Sequence, residues 1–300
     1  MPHKFFLIEK PGADYHKGEY WRDETFEEHL ALCEHETTRD LLLERLPKNG
    51  LILDAGCGAG RWLLYLRGKG FRVIGLDRSQ EGLLRAHAYD PALPLVAGDV
   101  ADKPIASGCC AAVLSSGVVE HFEEGPERAL AEARRVLEPG GRLFVAVPYN
   151  SPLRRFFYHP VMALIRRVTG WRGMRWEFAE YRFTTGEMRR ILDRAGFEWE
   201  GAWADDYREP KAKGLWVDYN QLIGRRGRMW ELNAAGRLLK RCLDAVSPWL
   251  SCAGVLCVVR RPAANSDAAR GSIPMGTPNA RHRTTPPSGR LRLPPGLARP

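Results

Sequence analysis

No two of the seven cysteines in this chain stand in CxxC spacing; they fall at positions 33, 57, 109, 110, 242, 252 and 257. An odd, scattered set excludes a disulfide scaffold. No apolar stretch approaches the ~18 uninterrupted residues that a bilayer-spanning helix requires. The opening MPHKFF lacks a basic segment followed by an apolar one, so no secretory leader is expected. These absences predict a reducing, cytoplasmic setting. An excess of positive charge over the body of the chain is missing too. The formal net charge is +9, but from Arg261 onward seven arginines face a single acid, Asp267, so six of the nine charges lie there. Residues 1–260 are near balance, which argues against nucleic acid as a general partner.

What is present is an alternating rhythm over 300 residues, of which 44% are hydrophobic and 27% charged, as in ordinary soluble domains. From about Asp23 to Leu46 apolar residues recur at helical spacing until Pro47 and Gly50 end the pattern. Leu51–Asp54, Arg72–Asp77, Leu95–Ala97, Ala111–Ser115 and Leu143–Val147 then read as strands. Arg61–Lys69, Glu81–Ala88 and Glu127–Leu137 read as helices between them, the last closed by Pro139-Gly140-Gly141. Strands alternating with helices predict βαβ units, hence a parallel α/β sheet with right-handed crossovers. Past Pro148 the pattern becomes irregular. A helix Thr185–Ala195, a strand from Phe197 to about Ala204 and a last strand Leu250–Val259 complete it. Three regions are expected: an N-terminal arm and helix (1–49), a main domain (50–260) with insertions at about 151–180 and 207–247, and a Pro/Arg-rich tail (261–300). The tail is expected to be disordered, for it has too few large aliphatics to bury.

The chemistry concentrates in Leu51-Ile52-Leu53-Asp54-Ala55-Gly56-Cys57-Gly58-Ala59-Gly60, an apolar strand running into a glycine-rich turn before a helix. Glycines permit a tight turn and close approach of a ligand to the main chain, and the following helix N-terminus offers unpaired N–H groups. A dinucleotide-binding turn would carry its third glycine or alanine three residues after the second. Arg61 stands there instead, which favours another adenosine ligand. Cys57 reads as a small buried residue. His29, Cys33 and His35 are close in sequence but lack the further ligands a metal needs, so no metal is expected.

The order of landmarks resembles the class I S-adenosylmethionine-dependent methyltransferases, particularly the small-molecule branch that includes the ubiquinone/menaquinone-biosynthesis type (methyltransferase type 11). After the glycine turn come Val73-Ile74-Gly75-Leu76-Asp77, then Gly98-Asp99-Val100, then Ser115-Ser116-Gly117-Val118-Val119-Glu120-His121-Phe122, then Arg134-Arg135-Val136-Leu137-Glu138-Pro139-Gly140-Gly141. The likeness is dense from about Gly50 to Pro148 and thinner from Tyr181 to Gly196. It implies a Rossmann-like, seven-stranded, mostly parallel sheet with helices on both faces, an antiparallel last strand and helical insertions.

The resemblance further implies S-adenosyl-L-methionine as cofactor and a role for each matching residue. Asp54 and Gly56 hold its amino-acid end, while Gly58 and Gly60 shape the turn. Asp77 accepts from both ribose hydroxyls and Arg78 sits beside the adenine. Asp99 and the Val100 amide meet the adenine, and Ser115 and Ser116 present main-chain oxygens to the ammonium. His121 is the leading candidate base, with Tyr149, Tyr158 and His159 behind it; Tyr20 and Trp21 are candidates to close over the cofactor. The insertions combine aromatics with arginines and are expected to converge over the mouth of the site. There they would serve a small-molecule or lipid-like acceptor, with peripheral membrane contact as a further expectation. An RNA methyltransferase and a non-catalytic cofactor-binding protein of the same fold remain alternatives, although no Asn/Asp-Pro-Pro-Tyr motif follows the fourth strand.

Overall fold

The structure, a computed structural model, describes residues 2–8, 25–168 and 176–263. Tyr20, Trp21 and all but the first three residues of the tail, and with them its expected disorder, lie outside the described residues.

Strand β1 spans His3–Ile8, and two helices follow, α1 (Phe26–His35) and α2 (Arg39–Arg45). The alternating region supplies β2 (Ile52–Ala55), α3 (Arg61–Gly68), β3 (Val73–Asp77), α4 (Gln80–Tyr89), β4 (Leu95–Ala97), β5 (Cys110–Ser116), α5 (Glu127–Val136) and β6 (Leu137–Pro148). Beyond it come α6 (His159–Val168), β7 (Trp176–Arg182), α7 (Thr185–Arg194), β8 (Glu198–Asp205), α8 (Lys213–Ile223), α9 (Ala234–Val246) and β9 (Gly254–Arg260). Seven strands form one sheet in the order β4-β3-β2-β5-β6-β9-β8. Six are mutually parallel, and β9, last in the chain, runs antiparallel between β6 and β8.

Successive strand residues point to opposite faces, and the apolar residues divide accordingly. Leu53, Val113, Leu143 and Val145 bury themselves with Ala129, Leu130 and Ala133 of α5 and Met188 and Leu192 of α7. Ile52, Ala112, Leu114 and Phe144 pack instead with Leu42 of α2, Trp62, Leu63 and Leu66 of α3 and Ala86 of α4. A sheet buried on both faces needs continuous apolar strands, and β5 and β9 are buried along nearly their whole length.

Three expectations are corrected, and one pairing is new. The single helix over Asp23–Leu46 is two. Glu36 adopts an extended conformation and bridges to Tyr207, while Thr38 Oγ1 donates to Asp205 Oδ1 at 2.8 Å. These tertiary partners outweigh continuation of the helix. Pro139-Gly140-Gly141 does not separate helix from strand; β6 begins at Leu137, and the three residues form an irregularity where its register on β5 jumps from Leu137 to Arg142. The last strand starts at Gly254 rather than Leu250, because Pro248–Leu250 form a 3-10 turn capped by Ser247. Finally, β1 and β7 make a separate antiparallel pair that the irregular patterning past Pro148 did not suggest.

Candidate active site

The glycine-rich turn folds as it does because three of its residues need φ values that side chains avoid: +88° at Gly56, +53° at Gly58 and +84° at Gly60. The Gly56 and Cys57 N–H groups donate to Leu76 O at 2.7 and 3.1 Å, tying the turn to the end of β3. A Cβ on Gly56 would stand 2.3 Å from Val118 Cγ2, so the loop after β5 packs directly on the turn. From the other side α4 closes in: a Cβ on Gly82 would lie 2.9 Å from the Gly58 carbonyl carbon and oxygen.

Around this turn lies a cleft at the carboxyl ends of the parallel strands. It is lined by Asp54, Gly56 and Gly58, by Asp77 and Arg78, by Asp99 and Val100, by Ser116 and by His121. The structure thus brings together nine of the eleven residues singled out from sequence. Gly60, which ends the turn as N-cap of α3, and Ser115, buried in β5 and paired in register with Val145, do not line the cleft. Tyr149, Tyr158 and His159 are also absent from its lining. Tyr149 packs edge-on against Trp249, and His159 stacks on His3 at 3.9 Å.

The three acids differ electrically. Asp54 is buried, its Oδ2 has no hydrogen-bond partner, and desolvation pushes its pKa up to about 7 against the opposing pull of Arg61. Asp77 is engaged at both oxygens, Oδ2 accepting from Gly58 N–H and Oδ1 from Ser79 N–H, each at 2.7 Å. Asp99 accepts from Ala101 N–H through Oδ1 at 2.7 Å. An ionised carboxylate offers about four lone-pair sites, so Asp77 keeps acceptor capacity on each oxygen after making its turn contacts. A buried carboxylate oxygen lacking a donor suits a cationic, hydrogen-bonding ligand end, and acceptors on the next two strands suit hydroxyls and an amino group. The donor set present fits S-adenosylmethionine.

Arg61, which lines the cleft, and Glu120, which directly precedes His121, were not singled out from sequence. Arg61 opens α3, and its Nη1 lies 2.6 Å from Glu36 Oε1, both groups largely buried. The signal available was its position, since a cation in the first turn of a helix opposes the helix dipole and needs another reason to be there. Glu120 is 2% exposed, its Oε2 has no hydrogen-bond partner, and burial raises its pKa to about 7. Its neighbour His121 is exposed, and its Nδ1 stands 2.7 Å from the Ala179 carbonyl oxygen of β7. A carbonyl can only accept, so Nδ1 carries the proton and Nε2 is the basic atom of the neutral ring.

The cleft adjoins a second hollow of about 890 Å³, with Arg78, Asp99, His121 and Phe122 common to both. Its remaining lining is mainly acidic: Glu123, Glu124, Glu127 and Glu177, with Arg128 and Phe178. The first insertion reaches this hollow through Glu177 and Phe178, whereas no residue of 207–247 lines either space. The second insertion packs elsewhere, its Tyr207 and Trp230 against Leu32 of α1. The insertions do meet each other: Arg154 Nε donates to Asp218 Oδ2 at 2.7 Å, and Leu153 joins the cluster around Leu215 and Leu232.

A seven-stranded sheet with β9 inserted antiparallel, and a glycine turn flanked by acids on successive strand ends, define a class I S-adenosylmethionine-dependent methyltransferase domain. Sequence comparison agrees: residues 53–145 match the family model described as a methyltransferase domain. Malonyl-[acyl-carrier protein] O-methyltransferase of Pectobacterium atrosepticum is 37% identical over 119 residues, covering 39% of this chain and 47% of the relative. A tRNA (carboxymethyluridine(34)-5-O)-methyltransferase of Mus musculus is 35% identical over 109 residues, covering 35% of this chain and 16% of the relative. The chain therefore spans less than half the length of these relatives. Among solved structures, a chain of the Haloferax volcanii complex containing the Trm112 methyltransferase activator superposes with a TM-score of 0.56. It is 21% identical and covers 83% of this chain and 100% of its own. A Methanosarcina mazei S-adenosylmethionine-dependent methyltransferase gives 0.51 at 17% identity, covering 74% and 97%. At such identities the structural likeness speaks for the fold.

Proposed function

We propose that this chain transfers a methyl group from S-adenosylmethionine to a small-molecule or lipid-like acceptor, with its basic, aromatic insertions in peripheral contact with a membrane. The observation that carries the reading is the convergence of Asp54, Asp77 and Asp99 with the glycine turn in one cleft. When bound, the cofactor supplies a methyl carbon already activated by a sulfonium. The chain has to hold and align. Asp54 and Gly56 hold the amino-acid end, with the main-chain oxygen of Ser116, which lines the cleft, accepting from its ammonium. Asp77 takes the ribose hydroxyls, and Arg78, Asp99 and the Val100 amide take the adenine. Gly58 and Gly60 keep the turn in shape. His121, held by Ala179, receives the acceptor's proton on Nε2 as the nucleophile attacks.

The acidic hollow beside the cleft supports an acceptor that is not a polyanion, because the four glutamates that line it repel phosphates. A second reading, an RNA acceptor, draws on the tRNA-modifying relative. The sequence-based argument against nucleic acid finds no support among the relatives.

Titration calorimetry with S-adenosylmethionine and NAD side by side tests the cofactor. Binding of the first and not the second, weakened in Asp77→Ala, is the expected result. Failure to bind S-adenosylmethionine at millimolar concentration refutes the proposal.

A further inference from the structure

The helical run from Pro152 through Val168 is unlike the other helices that follow the sheet. It begins with a π-helical turn, Arg154–Tyr158, and continues as α6. Its N-terminal end is anchored: Arg154 is buried, bonded to Asp218 and to the carbonyls of Tyr149 and Ala253. Beyond that anchor large apolar side chains turn outward. Phe157, Val161, Leu164 and Val168 are 63, 53, 61 and 75% exposed, and Phe156 is 67% exposed. Residues 157, 161, 164 and 168 follow the spacing that aligns side chains along one side of a helix. Contiguous apolar surface on a soluble domain marks a contact site.

Charge identifies the occupant. From Ser151 to Val168 the chain holds four arginines and neither aspartate nor glutamate. Arg154 is committed to Asp218, and Arg155 and Arg167 are exposed beside the stripe, Arg155 lying over the Phe156 ring at 5.5 Å. A two-fold contact with a second copy would set these arginines against one another with no acid between them. A nucleic acid would satisfy the arginines and leave the apolar stripe facing phosphates. An interface of acyl chains beneath anionic headgroups satisfies both at once, and arginine stems can lie along apolar surface while their heads reach phosphate.

We propose that α6 and the π-helical turn before it form a docking face for an anionic phospholipid surface, lying in the plane of the interface. The inference deepens the membrane-contact part of the proposed function by naming the element and the lipid charge, and it rests on that reading only there. Flotation of the full chain with vesicles tests it. Vesicles of phosphatidylcholine mixed with phosphatidylglycerol should carry the protein, and phosphatidylcholine alone should carry at least tenfold less. Leu164→Asp and Val161→Asp, both at exposed positions, should each lower flotation at least tenfold while the circular dichroism spectrum and S-adenosylmethionine binding stay unchanged. Failure of the native chain to float with either vesicle overturns the inference, as does equal flotation of the aspartate variants. A dimer in solution that Leu164→Asp dissociates assigns the stripe to a second copy, and single-stranded RNA binding lost in the same variant assigns it to nucleic acid; either overturns it. Loss of S-adenosylmethionine binding bears on methyl transfer alone, so the two readings fail separately.

Discussion

The Gly58 N–H donates to Asp77 Oδ2 at 2.7 Å, so the carboxylate at the end of β3 holds the turn that follows β2. One side chain thereby holds the glycine turn and keeps acceptor sites, which the proposed function gives to the ribose. Affinity and loop geometry are coupled through it.

Asp77→Ala should weaken S-adenosylmethionine binding by about 10–100-fold, the loss expected for charged hydrogen bonds of about 1.5–3 kcal/mol. Asp77→Asn should fall between the two, since the amide oxygen still accepts from one N–H. Calorimetry gives the affinities, and thermal unfolding of the ligand-free variants shows whether the turn itself has loosened.

Asp54 predicts a pH dependence. Its folded pKa, raised to about 7 by burial, lies above the unfolded value of roughly 3.9. Between those values the folded state holds more protons than the unfolded one, so this group's contribution to stability falls as pH rises through that window. A cationic ligand end favours the ionised form. S-adenosylmethionine affinity should therefore rise from pH 6 to pH 8, with proton release visible as a dependence on buffer ionisation enthalpy. In Asp54→Asn both the release and the rise should disappear.

His121 should exist as the Nδ1–H tautomer when neutral, because its partner is the Ala179 carbonyl. Nitrogen-15 NMR of the labelled protein distinguishes the two ring nitrogens. A proton found on Nε2 instead would remove the general-base role, since no lone pair would face an acceptor.

The buried Arg154–Asp218 pair clamps the two insertions together. Asp218→Ala leaves the buried Arg154 guanidinium without its counter-charge, while Arg182, which also faces Asp218, keeps Glu180 at 3.0 Å, and it should cost about 3–5 kcal/mol. Replacing both, as Arg154→Met with Asp218→Leu, should cost much less. Denaturant midpoints of the three proteins measure the difference, and an equal loss in the single and double variants would show that packing, rather than charge, holds the clamp.

The alternation of apolar runs with helical spacing between Leu51 and Pro148 was legible because each strand and helix there is governed by its own residues. The glycine turn and the acids Asp54, Asp77 and Asp99 that line the cleft with it were legible for the same reason: a glycine at positive φ or an acid at a strand end is a local requirement. Glu120 was not read, because its significance comes from burial, and nothing in Val119-Glu120-His121 states that the carboxylate is covered. Nor was the β1–β7 pair, whose partners are separated by more than a hundred and fifty residues.

By itself, then, the order of residues determined the parallel sheet, the glycine turn and the acids that surround it, since backbone preference and side-chain periodicity act over a few residues at a time. The tertiary structure decided the break between α1 and α2, the tautomer of His121, the joining of the insertions through Arg154 and Asp218, and the apolar stripe of α6 left facing outward. Each of these depends on which distant groups arrive within hydrogen-bonding or packing distance, and only the folded chain brings them there.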